Sequence, residues 1–468
     1  MAYDVIVLGS GPGGYPAAIR ASQLGFKVAI IEKESLGGIC LNWGCIPTKA
    51  LLKSAQVFDY MKHSTNYGIN ASGVSADFGG VIKRSRGVAD KMSKGVQFLM
   101  KKNKIDVVMG YGKIKAKGQI EVTAADGGKQ VVEGKYIVIA TGGRSKELPN
   151  LKQDGKKVIG YREAMVLPEQ PKSMIIVGSG AIGVEFAYFY NSIGTKVTIV
   201  EFLPRIVPVE DEDISKELEK QLKKQGIDIM TNASVESVDV SGNGVKASVK
   251  KQDGNVTLEA DIVLSAVGVV ANIENIGLEE NSIKTDKGKI IVDQYQQTSV
   301  PGIYAIGDCS PGQALAHVAT KEGINAAEHM AYNEKKTNHL PDTMDYNNIP
   351  GCTYCSPEIA SVGYTEKAAK EAGYELKIGR FPFMASGKAS AAGATEGFVK
   401  VIYDAKYGEL LGCHMIGMNV TEFIVEAVVA RKLETTAHEI LNSIHPHPTM
   451  SEGLKEATAA AYGEAIDI

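Results

Sequence analysis

The stretch Asp4-Val5-Ile6-Val7-Leu8-Gly9-Ser10-Gly11-Pro12-Gly13-Gly14 has the pattern of a buried strand followed by a glycine-rich turn. A helical segment comes next, and the apolar run after it ends in Glu32. The turn has the spacing G-x-G-x-x-G and lies between a strand and a helix, which is the context in which this pattern binds a dinucleotide. The glycines let the backbone approach a pyrophosphate at the helix N-terminus, and Glu32 can accept hydrogen bonds from both ribose hydroxyls.

The chain contains this unit twice. The second copy, Met174-Ile175-Ile176-Val177-Gly178-Ser179-Gly180-Ala181-Ile182-Gly183, leads into another helical segment and an apolar run that ends in Glu201. The spacing from the first glycine to the terminal acid is the same in both copies. Glycine-rich turns of ordinary strand-helix units would not supply both acids, so the sequence predicts an α/β protein that binds two dinucleotides.

The residues at the end of the second unit indicate which dinucleotide it binds. The carboxylate of Glu201 favours the free 2′-hydroxyl of NAD and repels the 2′-phosphate of NADP. Phe202 and Leu203 follow it, where arginines would favour NADP, and Arg205 is a weaker signal in the opposite direction. The sequence therefore predicts NAD in the second unit.

Further apolar segments indicate how the sheets are completed. Residues 136–143 form a buried strand that closes the first sheet beside a ligand, and residues 262–268 repeat it in the second. Residues 302–308 form a strand that ends in Gly-Asp, and Asp308 either binds the ribityl or phosphate part of a long cofactor or caps the next segment. Residues 149–171 contain prolines and predict a connection between domains.

Two cysteines separated by four residues lie in the segment Gly37-Gly38-Ile39-Cys40-Leu41-Asn42-Trp43-Gly44-Cys45-Ile46-Pro47-Thr48-Lys49. Cys45 precedes an apolar helical pattern that begins at Ala50, and a helix N-terminus favours a thiolate. The pair is a redox disulfide, a disulfide that staples the fold, or two unrelated buried thiols. Six cysteines in 468 residues do not suggest a disulfide framework, and in a reducing compartment a close pair is more often catalytic or metal-binding.

The overall composition limits the possible functions. The chain has 51 Lys and Arg residues against 54 Asp and Glu residues, and a net charge of -3 gives no electrostatic basis for binding nucleic acid or an anionic membrane. No apolar run reaches the length of a membrane span, and the N-terminal residues have the pattern of a strand and not of a secretory signal. We therefore expect a cytoplasmic protein without membrane or nucleic-acid partners.

From about residue 348 the pattern changes to that of a mixed α+β domain. Residues 398–403 and 409–416 have the pattern of strands, and residues 421–431 form a helix with an apolar face that can pair with a second subunit. His447 lies between two prolines, and Glu452 begins a helix close enough to orient an imidazole nitrogen and raise its basicity. The alternative is a surface turn with spectator histidines.

A second pair of cysteines raises the possibility of zinc. Cys352 and Cys355 form a C-x-x-C pattern, and Cys413 with His414 could complete a metal site. The flanking sequence has the pattern of strand and turn, without the helix of a redox C-x-x-C motif. The sequence therefore favours buried thiols and predicts no metal.

Together, the segment from Cys40 to Lys49, the two dinucleotide units, the Gly-Asp strand and the His-Pro-His-Pro-Thr-Met-Ser-Glu segment resemble the pyridine nucleotide–disulphide oxidoreductases over essentially the whole chain. The resemblance implies two Rossmann-like dinucleotide-binding domains plus an α+β C-terminal dimerisation domain. The implied boundaries are an FAD-binding domain at 1–148, an NAD-binding domain at 149–275, a central domain completing the FAD site at 276–346 and the dimerisation domain at 347–468. Trp43, Pro16 and Cys355 depart from the usual residues of the family.

The resemblance also implies an enzyme that oxidises protein-bound dihydrolipoamide to lipoamide through a Cys40-Cys45 disulfide and FAD, with reduction of NAD to NADH. The resemblance implies that Cys40 reacts with the substrate and that Cys45 lies next to the flavin. It also implies that His447 of the second subunit, oriented by Glu452, transfers the thiol protons. It further implies a cis bond before Pro448. The alternatives are another dithiol or disulfide reductase of the same family and a redox-interaction protein that retains the fold.

The remaining site residues are also assigned by resemblance. Lys49 is expected near the flavin and paired with Glu185. The implied FAD-binding residues are Gly9, Gly11, Gly14, Glu32, Lys33, Lys49, Gly112, Thr141, Gly142, Asp308 and Ala316. The implied NAD-binding residues are Gly178, Gly180, Gly183, Glu201, Val235 and Gly268. The implied partners are a second copy of the chain and either a dihydrolipoyl acyltransferase (E2) or a lipoyl carrier protein of 2-oxo-acid dehydrogenase or glycine cleavage systems.

Overall fold

The computed structural model describes residues 2–468, which divide into two compact units. The first unit contains the described residues up to Ala50 together with Ile82–Lys146 and Gly268–Tyr346. The second unit contains Leu51–Val81, Glu147–Val267 and Asn347–Ile468. The finer division into four domains that the sequence implies stays a prediction.

The strands, numbered in chain order, are β1 (Tyr3–Leu8), β2 (Val28–Glu32), β3 (Asp106–Met109), β4 (Tyr111–Ala116), β5 (Gln119–Thr123), β6 (Lys129–Ile139), β7 (Gly143–Ser145), β8 (Val158–Ile159), β9 (Ser173–Val177), β10 (Lys196–Val200), β11 (Asp228–Met230), β12 (Ser234–Asp239), β13 (Val245–Lys251), β14 (Gly254–Ala260), β15 (Ile262–Ser265), β16 (Val269–Ala271), β17 (Thr285–Asp286), β18 (Lys289–Ile290), β19 (Ile303–Ala305), β20 (Gly351–Thr353), β21 (Glu358–Gly363), β22 (Leu376–Pro382), β23 (Phe398–Asp404) and β24 (Leu410–Gly417). The helices are α1 (Gly14–Gln23), α2 (Gly38–Trp43), α3 (Cys45–Lys62), α4 (Phe78–Lys102), α5 (Tyr161–Ala164), α6 (Ala181–Ser192), α7 (Glu212–Lys224), α8 (Ala316–Asn333), α9 (Glu366–Glu371), α10 (Gly387–Ala392), α11 (Val420–Lys432), α12 (Ala437–Asn442) and α13 (Glu452–Tyr462).

A seven-stranded sheet organises the first unit, in the order β3-β2-β1-β6-β5-β4, with β19 also paired to β6. The strands β3, β2, β1, β6 and β19 run parallel to one another. Every residue of β2 is buried, as expected for a parallel strand covered on both faces. The predicted strands within residues 136–143 and 302–308 are confirmed, and they are neighbours in this sheet.

The second unit repeats this arrangement in its dinucleotide-binding part. Its parallel sheet has the order β11-β10-β9-β15-β8, so that β9 lies between β10 and β15 as β1 lies between β2 and β6. The predicted strand within residues 262–268 is confirmed as β15. Residues 149–171, predicted as a connection between domains, also contain β8, which extends the sheet, and α5, which follows it.

The C-terminal part of the second unit contains an antiparallel sheet in the order β20-β21-β24-β23-β22. Every residue of β23 and β24 is buried. Helix α13 packs so closely on β22 that a Cβ atom at Gly379 would lie 1.8 Å from the carbonyl oxygen of Ala457. The mixed α+β domain predicted from about residue 348 is therefore confirmed. Within residues 2–468, no helix is both long and apolar enough to cross a membrane.

A buried ion cluster joins the two parts of the second unit. The ammonium group of Lys400 on β23 lies 2.9 Å from Asp211, 2.7 Å from Asp213 and 2.7 Å from Glu366. Burial alone would lower the pKa of Lys400, but its hydrogen bonds to the three carboxylates outweigh burial and raise the pKa above its ordinary value. Because Asp211 also accepts a hydrogen bond from the first turn of α7, the cluster fixes this helix against β23.

We expect Lys400→Met to destabilise the protein by about 3 kcal/mol, because the buried Asp211 would lose its cation while Asp213 and Glu366 are partly exposed to water. Urea denaturation followed by circular dichroism measures this change. Lys216→Met is the matched control, since the Lys216 ammonium pairs with Glu212 at the surface and should contribute little. Equal urea midpoints for the two variants would contradict the importance of the Lys400 cluster.

Candidate active site

The two glycine-rich turns have the same backbone packing. A Cβ atom at Gly9 would lie 2.2 Å from the carbonyl oxygen of Ala140, and one at Gly14 would lie 1.9 Å from that of Gly9. In the second turn, the corresponding distances are 2.5 Å from Gly178 to Ala266 and 2.1 Å from Gly183 to Gly178. A side chain at any of these positions would separate the turn from the neighbouring strand or from its own helix.

The middle glycine of each turn has space beside it. A Cβ atom at Gly180 would have no heavy atom within 4 Å, and the nearest atom to one at Gly11 would be the Cα of Gly38 at 4.0 Å. The missing side chain therefore leaves room for a ligand, and helices α1 and α6 begin beside these openings. Both turns fit the pyrophosphate of a dinucleotide.

The terminal acids are held in the same way in both units. One carboxylate oxygen of Glu32 accepts hydrogen bonds from the backbone N–H of Ser10 at 3.0 Å and from its hydroxyl at 2.6 Å. Glu201 accepts the same pair of bonds from Ser179, at 2.8 and 2.6 Å. The other oxygen of each acid accepts a backbone N–H two residues further along the chain. The serines thus fix the orientation of both carboxylates.

The sequence reasoning did not identify Ser10 and Ser179 as site residues. Each occupies a variable position of the G-x-G-x-x-G pattern, so the pattern itself does not select them. The repetition of Gly-Ser-Gly in both units was the signal that could have found them. The same serine–acid hydrogen bond in both units corresponds to this repeated sequence.

Other predicted FAD residues follow the carboxyl ends of the parallel strands in the first unit. Lys33 follows β2, Thr141 and Gly142 follow β6, and Asp308 follows β19. The ends of parallel neighbours meet at one edge of the sheet, where such folds bind ligands. Ala316 is the first residue of α8, and Gly112 lies near the start of β4.

Asp308 lies beside a buried acid that the sequence reasoning missed. Glu322 accepts the backbone N–H of Gly307 at 2.6 Å and the hydroxyl of Tyr346 at 2.7 Å. Burial raises the pKa of Glu322 to about 7, although these two hydrogen bonds act to lower it. Burial also raises the pKa of Asp308, with Lys289 acting in the opposite direction. Glu322 therefore fixes the Gly-Asp turn, and no local pattern in the sequence marks it.

The predicted NAD residues lie in both units. Val235 is a buried residue of β12 in the second unit, together with the glycine turn and Glu201. Gly268 belongs to the first unit and has a φ of 110°, a conformation that favours glycine. The contribution of Gly268 to NAD binding stays a prediction.

The thiols of Cys40 and Cys45 lie in hydrogen-bond contact. Cys40 is half-buried in α2, whereas Cys45 is exposed and is the first residue of α3. The hydrogen bond to Cys45 and burial raise the pKa of Cys40, and nearby Lys49 has a smaller, lowering effect. Because Cys45 is the first residue of α3, the helix N-terminus favours a thiolate at this position.

The helix that carries Cys45 begins earlier than the apolar pattern indicated. The sequence places the helical pattern from Ala50, but α3 starts at Cys45. Thr48 helps to close this first turn, since its hydroxyl donates to the carbonyl of Gly44 at 2.7 Å. The prediction that Cys45 lies near a helix N-terminus is confirmed.

His447 and Glu452 form a hydrogen-bonded pair in the second unit. The Nδ1 atom of His447 lies 2.8 Å from Glu452, whose other oxygen accepts the backbone N–H of Thr449 at 2.7 Å. Burial alone would raise the pKa of Glu452, but the bonds from Thr449 and His447 outweigh burial and lower it. An ionised Glu452 keeps the proton on Nδ1 and leaves Nε2 as the basic nitrogen. The peptide bond before Pro448 is cis, as the resemblance implied.

A second histidine-acid pair lies next to the first. The Nε2 atom of His445 lies 2.7 Å from Glu426 on α11, and this hydrogen bond raises the pKa of His445. The sequence reasoning treated only His447 as a candidate. Because Glu426 lies 19 residues before His445, which is outside the helices, their pairing could not be found from spacing along the chain.

Comparison with known proteins gives the family. The model of the pyridine nucleotide-disulphide oxidoreductases matches residues 3–323, and the model of their dimerisation domain matches residues 349–458. The chain belongs to the pyridine nucleotide-disulphide oxidoreductases. The family and the fold class predicted from the sequence are therefore confirmed.

Relatives of this oxidoreductase chain match along nearly its whole length. It is 50% identical to the dihydrolipoyl dehydrogenase of Rhizobium etli and 46% identical to that of Bacillus subtilis, over 99% of each pair of chains. The crystal structure of LpdA from Mycobacterium tuberculosis covers 97% of this chain and 99% of its own at 27% identity, with a TM-score of 0.89. The structure of RclA of Escherichia coli, an HOCl-induced flavoprotein disulfide reductase, covers 98% of this chain and 99% of its own. The two chains are 26% identical, and the TM-score is 0.85.

Membership of this oxidoreductase family establishes the cofactors, which are FAD and NAD(H). The two glycine turns described above fit these two dinucleotides. The dimerisation domain indicates a homodimer. The roles of individual site residues remain proposals, and they include the pairing of Lys49 with Glu185, because these residues belong to different units. Within the second unit, Glu185 is buried and accepts the backbone N–H of Tyr354 at 2.9 Å.

We call the segment of residues 37–50, which contains Cys40 and Cys45, the redox segment. The other cysteines of this oxidoreductase lie outside it. Cys309, Cys355 and Cys413 are buried, and Cys352 is half-buried. Burial raises the pKa of Cys309 to about 11, and it raises the pKa of Cys413 further still. In the part of the chain that the structure describes, no three His, Cys, Asp or Glu side chains are grouped to hold a metal ion.

We expect Ser179→Ala to raise the KM for NAD roughly fivefold to tenfold, because the carboxylate of Glu201 would lose the hydrogen bond that the Ser179 hydroxyl donates. FAD content should stay unchanged. Ser10→Ala is the matched variant in the other unit, and it should lower FAD content while leaving the KM for NAD unchanged. Flavin absorbance per chain and steady-state kinetics measure the two effects. The same pattern in both variants would contradict the assignment of one dinucleotide to each turn.

Proposed function

We propose that the protein oxidises the dihydrolipoamide group of a lipoyl-bearing protein to lipoamide and reduces NAD to NADH. The observation that carries this proposal is the contact between the thiols of Cys40 and Cys45, with Cys45 at the N-terminus of α3. The first glycine turn and Glu32 would hold FAD, which would supply the two-electron chemistry that links the dithiol to NAD. The extensive identity to the dihydrolipoyl dehydrogenases of Rhizobium etli and Bacillus subtilis supports this substrate.

The two cysteines have different roles in this proposal. A thiolate of dihydrolipoamide attacks the sulfur of Cys40, the S–S bond to Cys45 breaks, and Cys45 leaves as a thiolate. The second substrate thiol then attacks the substrate sulfur of this mixed disulfide, which releases lipoamide and leaves Cys40 reduced. The raised pKa of Cys40 and the position of Cys45 at the helix N-terminus both favour this division of roles.

His447 is the proposed base for the substrate thiols, contributed by the second protomer. Its hydrogen bond to the ionised Glu452 leaves Nε2 available to accept a proton. The side chain of His447 is 78% exposed within its own chain, which leaves it accessible to the other protomer's substrate. Glu452 orients the imidazole through its hydrogen bond to Nδ1. We also propose that Lys49 and Glu185 act together near the flavin.

The partner of this reaction is a lipoyl-bearing protein. We propose a dihydrolipoyl acyltransferase (E2) or a lipoyl carrier protein of a 2-oxo-acid dehydrogenase or glycine cleavage system. A cytoplasmic location belongs to the same proposal, since a pair that cycles between dithiol and disulfide works in a reducing compartment. The alternative, another dithiol or disulfide reductase of the family, would show no NAD-linked turnover of dihydrolipoamide.

We expect His447→Gln to lower kcat for dihydrolipoamide and NAD by about 10²–10⁴-fold, the usual contribution of a general base. The oxidation of NADH by a small quinone should change little, because it involves no thiol proton. His438→Gln, at an exposed histidine on α12, is the control and should leave both reactions unchanged. Equal losses in the two reactions of His447→Gln would indicate a structural role and contradict the assignment.

A further inference from the structure

Trp43 is the chain's only tryptophan, and it lies between the two cysteines as the last residue of α2. Its indole N–H donates to Glu34 at 2.9 Å. The guanidinium carbon of Arg86, on α4, lies 4.5 Å from the centre of the indole ring, which is the distance of a cation–π contact. The tryptophan is therefore held on one side by an acid and on the other by a cation.

Arg86 also contacts the backbone of the redox segment, and so do the two residues before it. Arg86 donates to the carbonyl of Asn42, the hydroxyl of Ser85 donates to that of Pro47 at 2.9 Å, and Arg84 donates to that of Ala50 at 2.6 Å. Three consecutive residues of α4 therefore donate hydrogen bonds to backbone carbonyls on both sides of Cys45. We call these three residues, together with Trp43, the α4 clamp.

Only one residue separates the two helices that the α4 clamp contacts. Gly44 alone connects α2, which carries Cys40, to α3, which begins at Cys45. The backbone of Gly44 has φ −146° and ψ −118°, and a Cβ atom there would lie 3.2 Å from the carbonyl oxygen of Ile39. The contact between the two sulfur atoms therefore depends on what fixes α2 relative to α3.

We propose that Trp43 and Arg86 are positioning residues that set the equilibrium between the dithiol and disulfide forms of Cys40 and Cys45. The inference rests on the proposed redox role of this pair. Closing the pair forms one S–S bond and removes two protons and two electrons from the thiols. The electrons go to NAD in the proposed reaction, or to an oxidised dithiol in the test below.

The direction of the effect follows from the entropy of ring closure. A clamp that holds α2 and α3 raises the effective concentration of one thiol near the other, which favours the disulfide. Without the clamp, the open dithiol has more conformations, so the disulfide is easier to reduce. A loosened variant should therefore have a more positive midpoint potential.

The test uses the holoenzyme in anaerobic dithiothreitol redox buffers, with the state of the pair trapped by alkylation and read by mass spectrometry. We expect Trp43→Val and Arg86→Gln to lower the equilibrium constant for disulfide closure about fivefold, a shift of about 20 mV for this two-electron couple. Trp43→Phe keeps a ring for Arg86 and should fall between Trp43→Val and the wild type. Arg86→Lys should also be intermediate, because an ammonium group cannot both lie flat on the ring and reach the carbonyl.

Arg380→Gln is the matched control. The guanidinium of Arg380 lies over the ring of Phe398 at 3.7 Å in the second unit, so this variant removes a similar contact elsewhere. It should leave the midpoint potential unchanged. If Trp43→Val loses its FAD, the two conservative variants decide the result.

Wild-type potentials in all variants at Trp43 and Arg86 would overturn the proposal, as would an equal shift in Arg380→Gln. The measurement uses no lipoamide, so it is independent of the substrate assignment. A wild-type enzyme that fails to turn over dihydrolipoamide, yet shows the expected order of potentials, would remove the proposed function and leave the positioning role intact.

Discussion

The thiol of Cys40 is hydrogen-bonded to that of Cys45 at the first turn of α3, and the proposed chemistry depends on this contact. The hydrogen bond to the neighbouring sulfur and burial raise the pKa of Cys40, whereas the helix N-terminus favours negative charge on Cys45. Two identical side chains thereby acquire different reactivities from their positions alone. One sulfur is suited to exchange with a substrate, and the other is suited to remain a thiolate.

The redox segment is packed directly on the first dinucleotide turn. The backbone N–H of Gly37 donates to the hydroxyl of Ser10, and a Cβ atom at Gly38 would lie 2.6 Å from the Cα of Gly11. Ser10 therefore contacts both the acid Glu32 and the start of the segment that carries the cysteines. The second unit has the same turn and the same serine-acid pair without a redox segment, which agrees with two dinucleotides of which only one serves a dithiol.

Most of the fold followed from local patterns in the sequence. The strands around Gly9 and Gly178 were predictable because a parallel strand buried on both faces is a continuous apolar run, and the turns because only glycine fits beside Ala140 and Ala266. The start of α3 was placed too late, since its first turn, which Thr48 closes on the carbonyl of Gly44, precedes the apolar run that begins at Ala50. The short strand β8 was missed because the prolines around it resemble a linker.

The contacts that remained hidden join residues far apart in the chain. Lys400 meets Asp211 across 189 residues, and Glu426 on α11 meets His445 across 19, so neither pair leaves a pattern of spacing. The resemblance to a family supplied the roles of Cys40, Cys45 and His447, whereas the positions of Trp43 and Arg86 came only from the structure. Contacts between residues that are distant in the chain are therefore the ones that the sequence alone explains least.

The visible absorption spectrum of Cys40→Ser beside that of Cys45→Ser, both as FAD-bound proteins kept anaerobic, tests the division of roles most directly. The account predicts a long-wavelength thiolate–flavin absorption in Cys40→Ser without added reductant, because Cys45 remains as a thiolate at the helix start. Cys45→Ser should lack this absorption even after addition of NADH. The band in Cys45→Ser, or its absence from both variants, would contradict the assignment of Cys45 to the flavin.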